Sequence, residues 1–306
     1  MVCAMSAGEV VKLTRMGRFD MSKPASGPMA LLKKLRGKSS ADGKGPAATG
    51  GERQMKMLRR IPQLLRFVPG TAQDVRAYFL TLQYWLGGSQ ENVANLVRFL
   101  VDRYAAGPRA ELRGLTAAPP VEYPEVGVYH PRLESHCGGH MSEDIALLPS
   151  VVPAARARGS VGLLLLRSYL LAGNTRHYDG VIAALEAQGL QVVPAFASGL
   201  DSRPAIEKFF IHEGRSTVDA VLSLSGFSLV GGPAYNDSRA AEEVLTQLDV
   251  PYLAAHAVEF QTLSEWGQSA RGLLPVESTI MVAIPELDGA TGPGVYGGRA
   301  GAPGTT

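Results

Sequence analysis

Only two cysteines occur in the 306 residues, Cys3 and Cys137, and they are too few and too far apart for a disulfide framework. Reduced thiols in a cytosolic or stromal compartment are the expectation. No apolar run reaches the length needed to span a bilayer, and nothing near Met1 reads as a secretory leader. Aromatic residues are sparse, at 7%, and the basic N-terminal region lacks the interleaved aromatics and motifs of nucleic-acid binders. A phosphate-binding loop is also missing. Gly37-Lys38-Ser39 resembles the end of one, but Leu32 stands where its first glycine belongs, and no buried strand precedes it.

Charge is unevenly spread. Residues 1–78 carry 15 Lys+Arg against 5 Asp+Glu, whereas 79–306 carry 15 against 23. A basic arm ahead of an acidic body suits an acidic protein partner or another part of a larger assembly. Within that arm, 22–54 is rich in Gly, Ser, Ala, Pro and Lys and reads as a flexible basic linker. With 45% apolar residues overall, the remainder has enough to bury a core.

Residues 71–105 predict a helical hairpin. Thr71 is placed to cap the first helix with Asp74 three residues on, and Val75, Tyr78, Phe79, Leu82 and Leu86 share a face. Gly87-Gly88 ends that helix and Ser89 caps the next, whose expected stripe is Val93, Leu96, Val97, Leu100, Val101 and Tyr104. Tyr78, Tyr84 and Trp85 fit a core stripe better than a face for a flat ligand.

Beyond a Pro-rich connection at 118–160 the pattern alternates. Strands are expected near 161–166, 190–196, 219–225, 251–255 and 278–284, and helices near 177–188, 203–211, 238–248 and 262–270. This order predicts an α/β fold, a mostly parallel sheet with flanking helices. Ligands of such sheets bind beyond the carboxyl ends of the strands. Polar clusters follow every expected strand, which places Arg167, Asn174, His177, Asp179, Asn236, Asp237, His256 and Glu259 on one rim.

Each cluster has two readings. His177 beside Asp179 suits a general base or metal contact, but Asn174 or Thr175 can simply cap a helix with His177 in its exposed first turn. Gly231-Gly232-Pro233 can bind an anion at a helix start or serve as a plain turn closed by Asn236, Asp237 or Ser238. His256 and Glu259 can face a ligand, or His256 can be a satisfied histidine at a strand end. Glu286 and Asp288, two apart, are weak candidates for a hard cation, with solvated loop carboxylates the commoner outcome. His136, Cys137 and His140 lie close enough to bind a soft metal, but a fourth ligand is missing.

The stretches "GLLLLRSYLLAGNTRHYDGVIAALEAQGLQVVPAFASGLD", "LSGFSLVGGPAYND", "LDVPYLAAHAVEFQT" and "MVAIPELDGATGP" closely resemble the porphyrin-binding large subunit of magnesium chelatase. "GNTRHYDG" and "VGGPAYND" are similar to the version in bacteriochlorophyll-making purple bacteria. The helical segment 68–104 and "EVVKLTRMGRFDM" also resemble this family, whose wider superfamily includes the cobaltochelatase large subunit. The chain is several times shorter than the family, so the resemblance implies a fragment or a truncated paralogue. It suggests 1–21 as the remnant of a first domain, 55–117 as a helical segment and 161–290 as the α/β domain, while 291–306 reads as a disordered tail.

The resemblance further implies protoporphyrin IX and Mg2+ as substrates, with ATP bound by a partner. The implied partners are an AAA+ ATPase (I) subunit and a D subunit, in a bacterial cytoplasm or chloroplast stroma. It assigns no catalytic residue; the candidates above rest on rim position. By this reading the chain is inactive alone, because one rim supplies only one wall for a flat macrocycle. The alternatives are a non-catalytic interaction or tetrapyrrole-binding module, and a cobaltochelatase relative.

Overall fold

The computed structural model describes residues 12–23, 60–134, 138–232 and 235–301. Most of the expected linker, together with Cys3, His136 and Cys137, lies outside the described residues. The chain divides into two compact units, Met1–Glu122 and Tyr123–Thr306. Among the described residues no helix is long and apolar enough to cross a membrane.

In the first unit, β1 (Arg15–Met16) and β2 (Phe19–Asp20) form a short hairpin. Helices α1 (Thr71–Gly87) and α2 (Gln90–Tyr104) follow. Met16, Phe19, Val75, Tyr78, Phe79 and Leu82 are buried together, so the α1 stripe packs as its spacing predicts as far as Leu82, while Leu86 is half-buried outside this cluster. Gly88 closes α1 in the left-handed conformation, and Ser89 Oγ caps α2 by accepting from the Asn92 N–H at 3.1 Å.

Two details differ from expectation. Thr71 is the first helical residue rather than a cap, and Gly70 precedes it with no side-chain bond. Asp74 instead accepts from the Arg18 N–H at 2.8 Å and from Tyr104 Oη at 2.9 Å, tying hairpin and α2 to α1. On α2, Val93 and Val97 are exposed while Asn92 and Asn95 are buried. Asn92 both donates to Val121 O and accepts from Val121 N, each at 2.9 Å, and Asn95 Oδ1 accepts from Ala118 N at 3.1 Å. The extended segment after α2 has no ladder of its own, so its backbone needs amide side chains as partners.

The second unit is built on β3 (Val126–Tyr129), β4 (Met141–Ser142), β5 (Gly159–Leu166), β6 (Leu190–Ala197), β9 (Ala220–Ser223), β12 (Tyr252–Thr262) and β13 (Gly294–Arg299). Between them lie the hairpin pairs β7 (Ile211–His212) with β8 (Arg215–Ser216), and β10 (Gly231–Gly232) with β11 (Tyr235–Asn236). The sheet order is β13-β12-β9-β5-β6-β3-β4. Its first five strands are parallel, and β3 and β4 join antiparallel. The fold is therefore α/β with a mostly parallel sheet, as the alternation predicts.

Helices α3 (Arg167–Ala172), α4 (Arg176–Ala187), α5 (Arg203–Phe209), α6 (Ser238–Leu248) and α7 (Leu263–Gln268) connect the strands. The unbroken apolar run of β5 is explained by burial on both faces. Leu164 packs with Ile206, Phe210 and Val244, while Leu163 and Leu165 pack with Tyr178 and Ile182 of α4.

The strand expected over 278–284 does not form. Residues 275–287 are helical throughout, with a π-helical turn at Ser278–Ala283. Pro275 at the first helical position and Glu277 two residues later start the helix, and a short apolar run such as "TIMVAI" fits either state. The edge strand is β13 instead, inside the segment expected to be a disordered tail. Parallel pairing with β12 supplies the order that its Gly-rich sequence does not advertise.

Candidate functional site

Chain order reverses at β5: β6 lies on one flank and β9 on the other. In open parallel sheets, the crevice outside the carboxyl ends at such a reversal is the usual ligand position. A narrow cleft occupies that place. The helices after β5 contribute Tyr169, His177 and Tyr178, and the turn after β9 contributes Ser225, Gly226 and Phe227. β12 adds His256 and Glu259, with Met281 of the π-helical turn and Tyr296 of β13 completing the lining.

Regular alternation along a strand sends residues three apart to opposite faces. β12 escapes this because its register against β13 shifts between His256 and Ala257, and again between Val258 and Thr262. His256 and Glu259 consequently line the same cleft. His256 is only 1% exposed, and neither ring nitrogen has a hydrogen-bond partner among the described residues. Burial lowers its pKa below the ordinary histidine value, against the pull of the nearby Glu277 charge. The imidazole is therefore neutral at pH 7, with a lone pair available.

Glu277 is completely buried and accepts four hydrogen bonds. Its donors are the backbone N–H groups of Glu259 (3.3 Å), Phe260 (3.1 Å) and Leu274 (3.1 Å), and Gln261 Nε2 (2.6 Å). It thus clamps the irregular part of β12 to the start of the 275–287 helix. Gly226, with φ 69°, passes so close that a Cβ there would lie 3.3 Å from His256 Cβ.

The opposite wall is aromatic. The His177 ring lies 4.0 Å from that of Tyr178, 5.1 Å from Tyr169 edge-on, and 6.1 Å from Tyr296 at an interplanar angle of 22°. Burial lowers the His177 pKa, with Asp179 opposing, and raises the Tyr178 and Tyr296 hydroxyls above the usual phenol range. The wall is therefore uncharged near neutrality. Glu259 is exposed at the opening, yet partial desolvation and then the Glu277 charge raise its carboxyl above the usual range. A flat aromatic ligand, a neutral base and a carboxylate acceptor are chemically compatible with this arrangement.

The other candidates from the rim go elsewhere. Arg167 donates from Nε to Pro124 O at 2.6 Å and from Nη2 to Tyr123 O at 3.1 Å, anchoring the approach to β3. Asn174 is exposed, and its N–H closes α3 on Tyr169 O at 3.0 Å. Asp179 accepts from Tyr129 Oη at 2.7 Å and Thr175 Oγ1 at 3.1 Å. Asn236 pairs with Gly231 in the β10–β11 hairpin, and Asp237 caps α6 by accepting from Ala240 N at 3.0 Å.

Glu286 and Asp288 are not brought together as a cation pair. The segment is helical rather than extended, so residues two apart diverge. Glu286 is exposed and accepts from Gly292 N at 3.2 Å, while buried Asp288 accepts from Leu229 N at 2.7 Å. His140 turns its Nδ1 to Leu133 O at 2.9 Å. Among the described residues no group of three or more His, Cys, Asp or Glu is placed to hold a metal ion.

Sequence reasoning missed Glu277, Met281 and Tyr296. The Pro275-Val276-Glu277 start signal could have found the helix and its buried acid. Tyr296 carries no comparable signal among its glycines. His130 was missed too; it is buried, with Nε2 3.0 Å from Glu186, which also holds Arg132 at 2.7 Å.

Residues 82–306 match the family model described as CobN/Magnesium Chelatase, and 1–79 match a domain of unknown function. The chain is 58% identical over 291 residues to the H subunit of magnesium chelatase from Cereibacter sphaeroides, covering 95% of this chain and 23% of that protein. It is 34% identical over 306 residues to ChlH, the chloroplastic magnesium-chelatase subunit of Oryza sativa subsp. indica, covering 96% and 21%. Among solved structures, the catalytic subunit of cobaltochelatase from Mycobacterium tuberculosis aligns with 70% of this chain and 16% of its own, at TM-score 0.47 and 23% identity. The chain thus spans under a quarter of the length of these curated relatives. With three quarters of its residues inside one family model and this level of identity across its length, the chain belongs to the CobN/magnesium chelatase family.

Proposed function

We propose that this chain is the tetrapyrrole-facing α/β part of a magnesium chelatase subunit of the H type, presenting protoporphyrin IX for Mg2+ insertion. ATP is bound by one of two partners, an AAA+ ATPase subunit working with a D subunit, in the cytoplasm of a phototroph or in a plastid stroma. The observation that carries the reading is the cleft at the strand reversal. It sets a neutral buried imidazole, His256, and the carboxylate Glu259 against the uncharged aromatic wall of Tyr169, His177, Tyr178 and Tyr296.

The chemistry asks for such groups. Mg2+ prefers six oxygen ligands and dehydrates reluctantly, so its transfer to four ring nitrogens needs external energy. Two pyrrole protons must also leave, which a neutral imidazole and a carboxylate can accept. Fluorescence titration of the purified chain with deuteroporphyrin IX tests the reading. His177→Ala and Glu259→Ala are each expected to weaken binding about tenfold, or ~1.4 kcal/mol, with circular dichroism unchanged. Unaltered affinity in both folded variants removes these residues from the site.

A further inference from the structure

Among the described residues lining the cleft, both ring nitrogens of His256 and the hydroxyl of Tyr296 are buried without a hydrogen-bond partner. Of the two side chains only the imidazole is a base near neutrality, because burial keeps the Tyr296 hydroxyl protonated. A buried polar group without a partner costs about 1–3 kcal/mol, and a fold retains such a group where something else satisfies it. The internal space of the cleft, about 10 Å3, is that of one water molecule. A ligand too large to enter that space can reach His256 only through a water held there.

We propose that His256 is the proton acceptor of this site, taking one pyrrole proton through a water held in the cleft as the metal ion enters the ring. The inference rests on the tetrapyrrole reading above. In the step, a pyrrole N–H bond breaks and its electron pair stays on nitrogen, which binds Mg2+. The proton joins the water, and a water proton passes to the lone pair of the imidazole. The second pyrrole proton goes to the Glu259 carboxylate. The ring loses two protons and gains one dication, so charge and atoms balance.

The surroundings suit an acceptor. Glu277 lies close enough for its charge to favour the imidazolium once it forms, and burial keeps the imidazole neutral beforehand. Exposed Glu259 returns its proton to solvent. The groups that face His256 and titrate are Glu277 on the helical stretch, Glu259 on the same strand and His177 on α4; burial keeps the Tyr178 and Tyr296 hydroxyls protonated.

The test uses deuteroporphyrin IX and the 15N imidazole resonances of His256. A hydrogen bond donated toward the neutral ring lowers the His256 pKa in the complex. Affinity must then fall as pH drops below the His256 pKa of the free chain, by up to about tenfold per pH unit, and level off below the pKa of the complex. Wild type and His177→Phe are expected to show this acid-side loss in excess of His256→Gln. Binding with His256 resonances and pKa unmoved overturns the inference and leaves the tetrapyrrole reading standing. Absence of binding overturns both. Should His256→Gln fail to fold, the resonances of the wild-type chain decide alone.

Discussion

Tyr129 Oη donates a 2.7 Å hydrogen bond to Asp179 Oδ1, joining the end of β3 to the first turn of α4 across fifty positions of sequence. Desolvation and the adjacent carboxylate raise the Tyr129 hydroxyl above its usual range, so it stays a donor. Asp179 therefore acts as a tether that orients α4, and with it His177 and Tyr178, toward the cleft. Tyr129→Phe is expected to cost about 1.5–3 kcal/mol, the value of a hydrogen bond to a charged group. Urea unfolding checks this, and an unchanged midpoint would show the bond to be idle.

Stability of the first unit is expected to depend on an asparagine rather than on the valine beside it. Asn92→Ala removes both bonds to Val121 and leaves that backbone unpaired, a loss of about 1–3 kcal/mol. Exposed Val93→Ser should change stability by at most about 0.5 kcal/mol. Thermal denaturation of the two variants gives the comparison. Equal effects would mean that the apolar stripe, not the amide pairing, holds α2.

Acid should weaken the second unit through His256, which is buried, and His177, which is half-buried. His177 and His256 both have folded pKa values below the ordinary 6.5. Their contribution is complete above 6.5 and is lost as pH falls below it, because the unfolded chain takes up protons that the folded chain refuses. The slope reaches at most about 1.4 kcal/mol per pH unit for each group. Glu259 acts with the opposite sign: its raised pKa gives a contribution present at low pH and lost as pH rises through the folded value. Chemical unfolding between pH 7 and 5 should show a slope that His256→Gln reduces; an identical slope would place the titration elsewhere.

Glu277 is expected to be the most sensitive acid near the cleft. Glu277→Gln replaces an oxygen acceptor by a donor facing N–H groups, costing about 2–4 kcal/mol. It also removes the charge that opposes the lowering of the His256 pKa. NMR titration should therefore find His256 lower still in this variant. A His256 pKa that stays put or rises would show that the two groups are not coupled.

Local pattern was sufficient for much of the fold. The continuous apolar runs of β5 and β6 announce buried parallel strands, and the caps at Ser89 and Asp237 fall where short-range hydrogen bonding puts them. These features depend on neighbours within a few residues, so the chain itself encodes them. Asn92 and Asn95 could not be read this way, because their burial depends on an extended segment more than twenty positions away.

The candidate site divides along the same line. Sequence alone identified His177, His256 and Glu259 as residues following strands, and the family motifs lie in those stretches. Which of the rim residues meet was decided by tertiary structure. Arg167, Asp179 and Asp237 were drawn into backbone and side-chain bonds, while a register shift in β12 turned His256 and Glu259 to one cleft. Tyr296 reached the aromatic wall only because β13 pairs with β12, an association that no local propensity of a Gly-rich segment specifies. Glu277 became a buried clamp only once three donors from β12 and one from Leu274 converged on it. Elements follow from local sequence, but the company a side chain keeps follows from packing, which alone determines whether a carboxylate or imidazole is solvated, satisfied or left free to react.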